Sequence, residues 1–303
     1  MGLVHTVGLV LHPERDSAPA IKTITDWARR RDVTVLGLPD EVGRIACEAV
    51  AVGPEELAER SSLLVSLGGD GTMLRTMRLG AGRATPVLGV NLGRLGFLPE
   101  IDVDGLPTAL SSIDNHHYSV ESRLAVRTTL PDGREVTAFN DIALCRIPGD
   151  GLAAVAIRVE DHAFVRYAAD AVIVATPTGS TAYSFSSGGP IVSPTVRAVL
   201  VVAAAAHSSF NRAMVLSADE ALALDVLPRS GRLAVEVDGR VDGRVGPGDR
   251  LAVRALADAA RVVRLGHTSF YERARRKLQV RGSAEVDGAG EGAYPPYGTI
   301  NPC

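Results

Sequence analysis

The residues best suited to chemistry lie in one glycine turn, Gly68-Gly69-Asp70-Gly71-Thr72, which follows the apolar run Leu63 to Leu67 and opens a helical pattern. Main-chain amides exposed at such a turn can bind phosphate, and glycines let the phosphate come close to the backbone. A carboxylate among bound phosphates would be repelled by them. Asp70 therefore makes chemical sense where it handles a metal or takes a proton from an attacking hydroxyl. Capping of the following helix is the plain structural alternative, because aspartate is a good N-cap.

Three further segments carry the same kind of signal. Asn91-Leu92-Gly93-Arg94-Leu95-Gly96-Phe97 follows the run Pro86 to Val90, which puts a second loop at the carboxyl edge of a sheet, where open α/β folds bind ligands. Asp170 to Ala175 enters Thr176 to Pro190, a stretch dense in hydroxyls and glycine that suits sugar, base or phosphate at close range. Asn140-Asp141 interrupts the apolar stretch Val136 to Arg146, and a buried polar pair there demands partners, from backbone turns or from a ligand.

The elements that must position these segments divide the chain in two. Over the first hundred residues short apolar runs alternate with helical patterns, including Ala18 to Arg30 and Pro54 to Arg60, which predicts a parallel sheet covered by helices. Beyond Ile113 come runs with turn punctuation: Arg123 to Leu130, Ala153 to Val159, Leu233 to Val237, Arg250 to Ala255 and Arg261 to Leu265. That half reads as β-rich. We expect an α/β domain over residues 1–115, a β-rich, sandwich-like domain over 116–282, and a disordered tail over 283–303, whose Gly, Pro and Tyr lack apolar periodicity.

Composition removes several classes. The chain has 303 residues, 32 Lys plus Arg against 35 Asp plus Glu, and 46% hydrophobic residues, so a polybasic nucleic-acid binder is not expected. Only Lys22 and Lys277 are lysines, and neither sits in a Walker A or protein-kinase context. With no lysine in such a context, arginines, main-chain amides and a divalent ion are left to offset the charge of any bound phosphate. No protein metal cage is evident. The basic segment Phe270 to Val280 reads as a solvated or inter-domain face. Cys47, Cys145 and Cys303 form no CxxC pair, and the longest aliphatic run, Ala198 to Ala206, is too short to span a bilayer. A soluble, cytoplasmic protein with no membrane partner is expected.

Taken together and in this order, the four segments resemble the NAD kinase family over roughly residues 1 to 280. The Gly-Gly-Asp-Gly-Thr turn alone is shared with diacylglycerol kinases and phosphofructokinases, whereas Thr176 to Pro190 is similar to NAD kinases only. The resemblance implies an active site in the cleft between the two domains and a homodimer or homotetramer. It implies that Asp70 is the general base for the adenosine-ribose 2′-hydroxyl of NAD, which attacks the γ-phosphorus of ATP. Gly68, Gly69, Gly71 and Thr72 would line the phosphates with Arg75 close by, and the divalent ion would be Mg²⁺ arriving with ATP. Phe97, Asn140, Asp141, Asp170, Thr181, Ala182, Tyr183 and Ser186 would hold NAD. The chain departs from the family pattern in having Asp141 where glutamate is usual and Ala171 where glycine is usual. A positive φ there would strain alanine. Near Asp238-Gly239-Arg240 the match is loose, and Arg240 is given no role. His207 stands at a family histidine position and reads as structural.

Overall fold

The computed structural model describes residues 4–43, 49–93, 96–266 and 268–280. The expected tail over 283–303 lies outside these residues. The first half alternates as its sequence requires: β1 (Thr6–Leu11), α1 (Ala18–Arg30), β2 (Thr34–Gly37), α2 (Pro39–Val42), β3 (Val50–Ala51), α3 (Pro54–Arg60), β4 (Leu63–Gly68), α4 (Asp70–Leu79), β5 (Pro86–Asn91), β6 (Ile101–Asp102) and α5 (Leu106–Asp114). The strands pair in parallel, β3-β2-β1-β4-β5, with β6 on β5. Helix α1 shows why: Ala20, Ile21, Ile24, Trp27 and Ala28 recur at helical spacing and are buried on the sheet, while Trp27 Nε1 donates to Asp114 at 3.1 Å to tie α1 to α5. Leu57 of α3 and Met73 and Met77 of α4 cover the opposite face.

The second half contributes β7 (Ser119–Thr129), β8 (Glu135–Ala138), β9 (Asp141–Arg146), β10 (Ala153–Val159), β11 (His162–Ala169), β12 (Ala171–Ala175), α6 (Tyr183–Ser186), β13 (Ala198–Ala204), β14 (Met214–Ser217), β15 (Leu222–Val226), β16 (Leu233–Val237), β17 (Arg240–Val245), β18 (Arg250–Arg264) and α7 (Phe270–Lys277). One antiparallel sheet runs β14-β13-β12-β9-β16-β17. Strands β11, β10, β15 and β18, with β7 and β8 beside them, pack against it through alternating apolar residues such as Val126, Leu144, Ile157, Val174, Val201, Leu224, Val235 and Val253. This is the expected sandwich-like layering.

Two details differ from the sequence reading. Arg250–Ala255 and Arg261–Leu265 are parts of one strand, β18, because a register shift between Leu256 and Ala260, with Asp258 at φ 52°, bends the strand without ending it. Past that bend β18 leaves the sandwich and pairs in parallel with β5, Arg261 opposite Pro86 and Val262 opposite Val87. Likewise Val136 to Arg146 is two strands in two sheets. Strand β8 belongs with β7, and β9 with β12 and β16. Asn140 stands at the corner where the chain crosses between them. Among the described residues no helix is long and apolar enough to cross a membrane.

Candidate active site

Strand β4 ends at Gly68, and α4 starts at Asp70 with Gly69 as an extended N-cap (φ −109°) and no side-chain cap. Asp70 does not cap its own helix. Its Oδ1 accepts from the amides of Phe97 and Leu98, both at 2.9 Å, and Phe97 N also reaches Oδ2 at 3.2 Å. Gly96 permits this approach, since a Cβ there would collide with Asp70 Oδ1. The first bond of α4 runs from Met73 N to Gly69 O at 3.0 Å, so the amides of Asp70, Gly71 and Thr72 stand ahead of it without partners in the helix. Gly71 is exposed, Gly69 half-buried and Thr72 buried.

A lysine is present here after all. Lys277, in the last turn of α7, places Nζ 2.9 Å from Asp70 Oδ2 and 4.6 Å from the centroid of the Phe97 ring. Neither lysine was expected near the glycine turn, and this contact brings one to it. Sequence could not reveal it, because 207 positions separate the two residues. The arginines divide their work. Arg75 Nη2 donates to Leu11 O and to Glu41 Oε1, each at 2.5 Å, while Glu41 Oε2 accepts from Leu11 N at 2.7 Å. Arg75 thus ties the turn's helix to the end of β1. Arg15, which the sequence reading passed over, lies against both loops, its Nη1 3.6 Å and 2.7 Å from where Cβ atoms on Gly69 and Gly93 would stand.

The second half builds its side on a buried carboxylate. Asp238 has a fully buried side chain and accepts from the amides of Asn140 (2.6 Å), Phe139 (3.2 Å) and Asp141 (3.3 Å), with Arg78 Nη1 at 3.1 Å. Burial pushes its carboxyl up, against the pull of those amides and of Arg78. Asp141 beside it is buried and raised to about 7 by burial first and then by the charges of Asp238 and Glu236. Thr176 locks the facing loop to the same corner. Its hydroxyl donates to Phe139 O at 2.5 Å and accepts from Gly179 N at 3.0 Å, and its amide reaches Asn140 O at 2.8 Å. A Cβ on Gly179 would collide with the Asn140 carbonyl, so only glycine lets this loop close.

That loop presents Thr181 and Ala182, half-buried, and Tyr183 and Ser186, exposed. Tyr183 lies near Cys145, whose thiol is pushed up to about 12 by burial and then by the nearby Glu236. Asp170 pairs with Arg146 at 2.5 Å on its neighbouring strand. Ala171 does not adopt positive φ and begins β12 without strain. His207 is exposed after β13, held by its amide to Ala168 O at 2.8 Å. Helix α4 joins the two sides, with Asp70 at its start and Arg78, in its last turn, on Asp238. Of the expected residues, Gly68 to Thr72 and Phe97 lie around Asp70, Asn140 and Asp141 stand at the start of β9, and Asp170, paired with Arg146, stands at the other end of the β9–β12 pair. Asp238, Arg78 and Lys277 are additions. The pattern Asp238-Gly239, a polar pair breaking β-alternation as Asn140-Asp141 does, was the available signal for the first.

A buried charge network anchors α7. Arg273 donates to Pro99 O and Glu100 Oε2, both at 2.5 Å, and Arg264 reaches Glu100 at 2.8 Å. Arg123 pairs with Glu121 and reaches Thr178 Oγ1 at 3.3 Å. Burial, together with repulsion from Arg264 and Arg273, lowers the Arg123 guanidinium to about 9. Glu100 is pulled below the usual carboxylate range by Arg273, the Leu265 amide and Arg264, which together outweigh its burial.

A glycine turn with a held carboxylate at a parallel sheet's edge, joined through one helix to a hydroxyl-rich loop on a β-sandwich, defines a two-lobed nucleotide-binding protein of the phosphotransferase type. Comparison agrees. Residues 7–118 match the model of the ATP-NAD kinase N-terminal domain, and residues 139–265 that of the ATP-NAD kinase C-terminal domain. NAD kinase 1 of Streptomyces avermitilis is 36% identical over 96% of this chain and 92% of its own length. The NAD kinase of Heliobacterium modesticaldum is 39% identical over 90% and 98%. Among solved structures, yeast NADH kinase complexed with NADH shares the fold with a TM-score of 0.81 at 24% identity, covering 93% of this chain and 89% of that one. The chain belongs to the NAD kinase family.

Proposed function

We propose that the protein transfers the γ-phosphoryl group of ATP to the 2′-hydroxyl of the adenosine ribose of NAD, giving NADP. The observation that carries this reading is the Asp70 carboxylate, held by two loop amides beside the helix-start amides of Gly71 and Thr72. Phosphoryl transfer asks little covalent work of a protein; positioning, charge neutralisation and a base near the hydroxyl suffice. Asp70 takes the hydroxyl proton, an effect worth typically ~10² to 10⁴ in rate. The Gly68–Thr72 amides cradle the phosphates with Arg75 at the turn's flank, and Phe97 lines the passage between the lobes.

NAD is held by the second lobe. Asn140 presents donor and acceptor to the adenine edge, Asp141 accepts from ribose hydroxyls, and Asp170, Thr181, Ala182, Tyr183 and Ser186 close around the dinucleotide. The boundary between the lobes is placed near residue 115, with the end of β18 and α7 returning to the first lobe. A divalent ion would come as part of the ATP substrate and would offset phosphate charge. The enzyme works in the cytoplasm as a homodimer or homotetramer, which light scattering of the purified protein measures. The decisive assay incubates protein and Mg-ATP with NAD, NADH, adenosine and sugar alcohols. NADP formed from NAD is the expected result; phosphorylation of another acceptor with NAD untouched would overturn the reading.

A further inference from the structure

We propose that Lys277 is a working residue of the transfer site: its ammonium holds Asp70 Oδ2 while phosphates are absent, then passes to a phosphoryl oxygen of bound ATP and leaves Oδ2 for the proton of the attacking hydroxyl. The inference rests on the reading of Asp70 as the base. Its geometric ground is the unequal occupation of the two carboxylate oxygens. Oδ1 accepts two amides at 2.9 Å, which fills both of its lone pairs. Oδ2 has the Lys277 ammonium at 2.9 Å and only a longer share of Phe97 N at 3.2 Å. Backbone amides cannot leave without unfolding the loop, whereas a lysine on a flexible stem can. Oδ2 is therefore the oxygen that can change partners.

The lysine is delivered to this point by a built support. Arg273 lies one helical turn before Lys277 on the same face of α7, is buried, and is clamped by Pro99 O, Glu100 and Thr268 O. Ser269 caps the helix, accepting from Glu272 N at 3.2 Å. Pro99 and Glu100 continue the loop whose amides hold Asp70, so base and lysine share one anchor. Beyond Arg273 the Lys277 side chain is 35% exposed and rests over the Phe97 face, which leaves it room to move. A triphosphate brings more negative charge than one carboxylate and draws the ammonium across. In the step itself the hydroxyl proton moves to Oδ2 and the hydroxyl oxygen bonds to the γ-phosphorus. The bond from that phosphorus to the bridging oxygen breaks, its electron pair leaving with ADP, and Lys277 keeps its protons throughout.

Steady-state kinetics of Lys277→Met and Lys277→Arg, with calorimetry of a non-hydrolysable ATP analogue and Mg²⁺, test this beside Asp70→Asn. Lys277→Met keeps the stem over Phe97 and is expected to lose about 10² to 10³ in kcat and to bind the analogue more weakly, with KM for NAD within about threefold of wild type. Lys277→Arg restores at least about tenfold of that loss, which a purely structural contact would not require. A Lys277→Met enzyme with wild-type kcat and analogue affinity overturns the proposal, as does equal impairment of both variants with a matching fall in Tm. If Lys277→Met is unimpaired while Asp70→Asn is inactive, the lysine's role alone fails. Full activity in Asp70→Asn removes the base and the lysine's role together.

Discussion

Arg78 and Asp238 meet across the two halves of the molecule at 3.1 Å, the arginine from the last turn of the helix that begins at Asp70 and the aspartate from the turn between β16 and β17. The aspartate side chain is fully buried and also organises the amides of Phe139, Asn140 and Asp141. One ion pair thus fixes the base's helix relative to the strand corner that carries the dinucleotide side. Breaking it strands a buried charge. Arg78→Ala is expected to cost about 3 to 5 kcal/mol in urea unfolding, with Arg78→Lys recovering part of it.

Replacing Asp70 by asparagine keeps the volume and leaves an oxygen for the Phe97 and Leu98 amides. Fold and NAD affinity should persist while kcat falls by about 10² or more. Coupled-assay kinetics and calorimetric NAD titration separate the two effects.

Gly96→Ala puts a methyl group where Asp70 Oδ1 sits. We expect the carboxylate to be displaced and turnover to fall at least about tenfold, with Tm changed by only a few degrees. A wild-type kcat would mean the loop moves instead.

Gly179→Ala tests the other side of the cleft. The added methyl meets the Asn140 carbonyl, which is backbone and cannot swing away. A loss of about 1 to 3 kcal/mol in stability is expected, accompanied by a rise in KM for NAD with KM for ATP unchanged.

Asp141 gives the protein a predictable response to pH. Burial and the neighbouring Asp238 and Glu236 raise its carboxyl from an ordinary 3.8 to about 7, so the folded chain binds this proton more tightly than the unfolded chain. The sign follows: its stabilising contribution is complete below about pH 4 and is lost as pH climbs through about 7. Asp141→Asn should flatten urea midpoints across that window and exceed wild type at pH 8 by an amount of order 2 kcal/mol. If Asp141 accepts from ribose hydroxyls, KM for NAD in the wild type falls as pH rises through the same range.

What the sequence made legible was local. The turn from β4 through Gly68 and Asp70 into α4, the loop after β5 and the stretch after β12 each announce themselves within a few residues, because glycines, hydroxyls and apolar runs report their own neighbourhood. α1 and α3 agree with the expected bounds for the same reason. The partners of Asp70 and Asp141 were not local. Lys277 looked like one charge in a basic segment, and only the Arg273–Glu100 clamp, made across the whole chain, turns it inward. Asp238 reads as an ordinary hairpin aspartate until its positive φ of 49° and three amide partners are seen. The corner at Asn140 likewise looked like an interruption in one strand, because alternation is the same in either sheet.

The parallel pairing of β18 with β5 bears on biosynthesis. A ribosome releases β5 long before Arg261 and Val262 exist, so the outer edge at Pro86–Val87 emerges bare and stays so until those residues, about 170 positions later, have been made. Exposed edges of this kind invite wrong partners during translation. The same late segment then brings α7 to the waiting carboxylate. Closure of the early sheet and completion of the site are thus two results of a single docking event, and a prematurely terminated product would lack both.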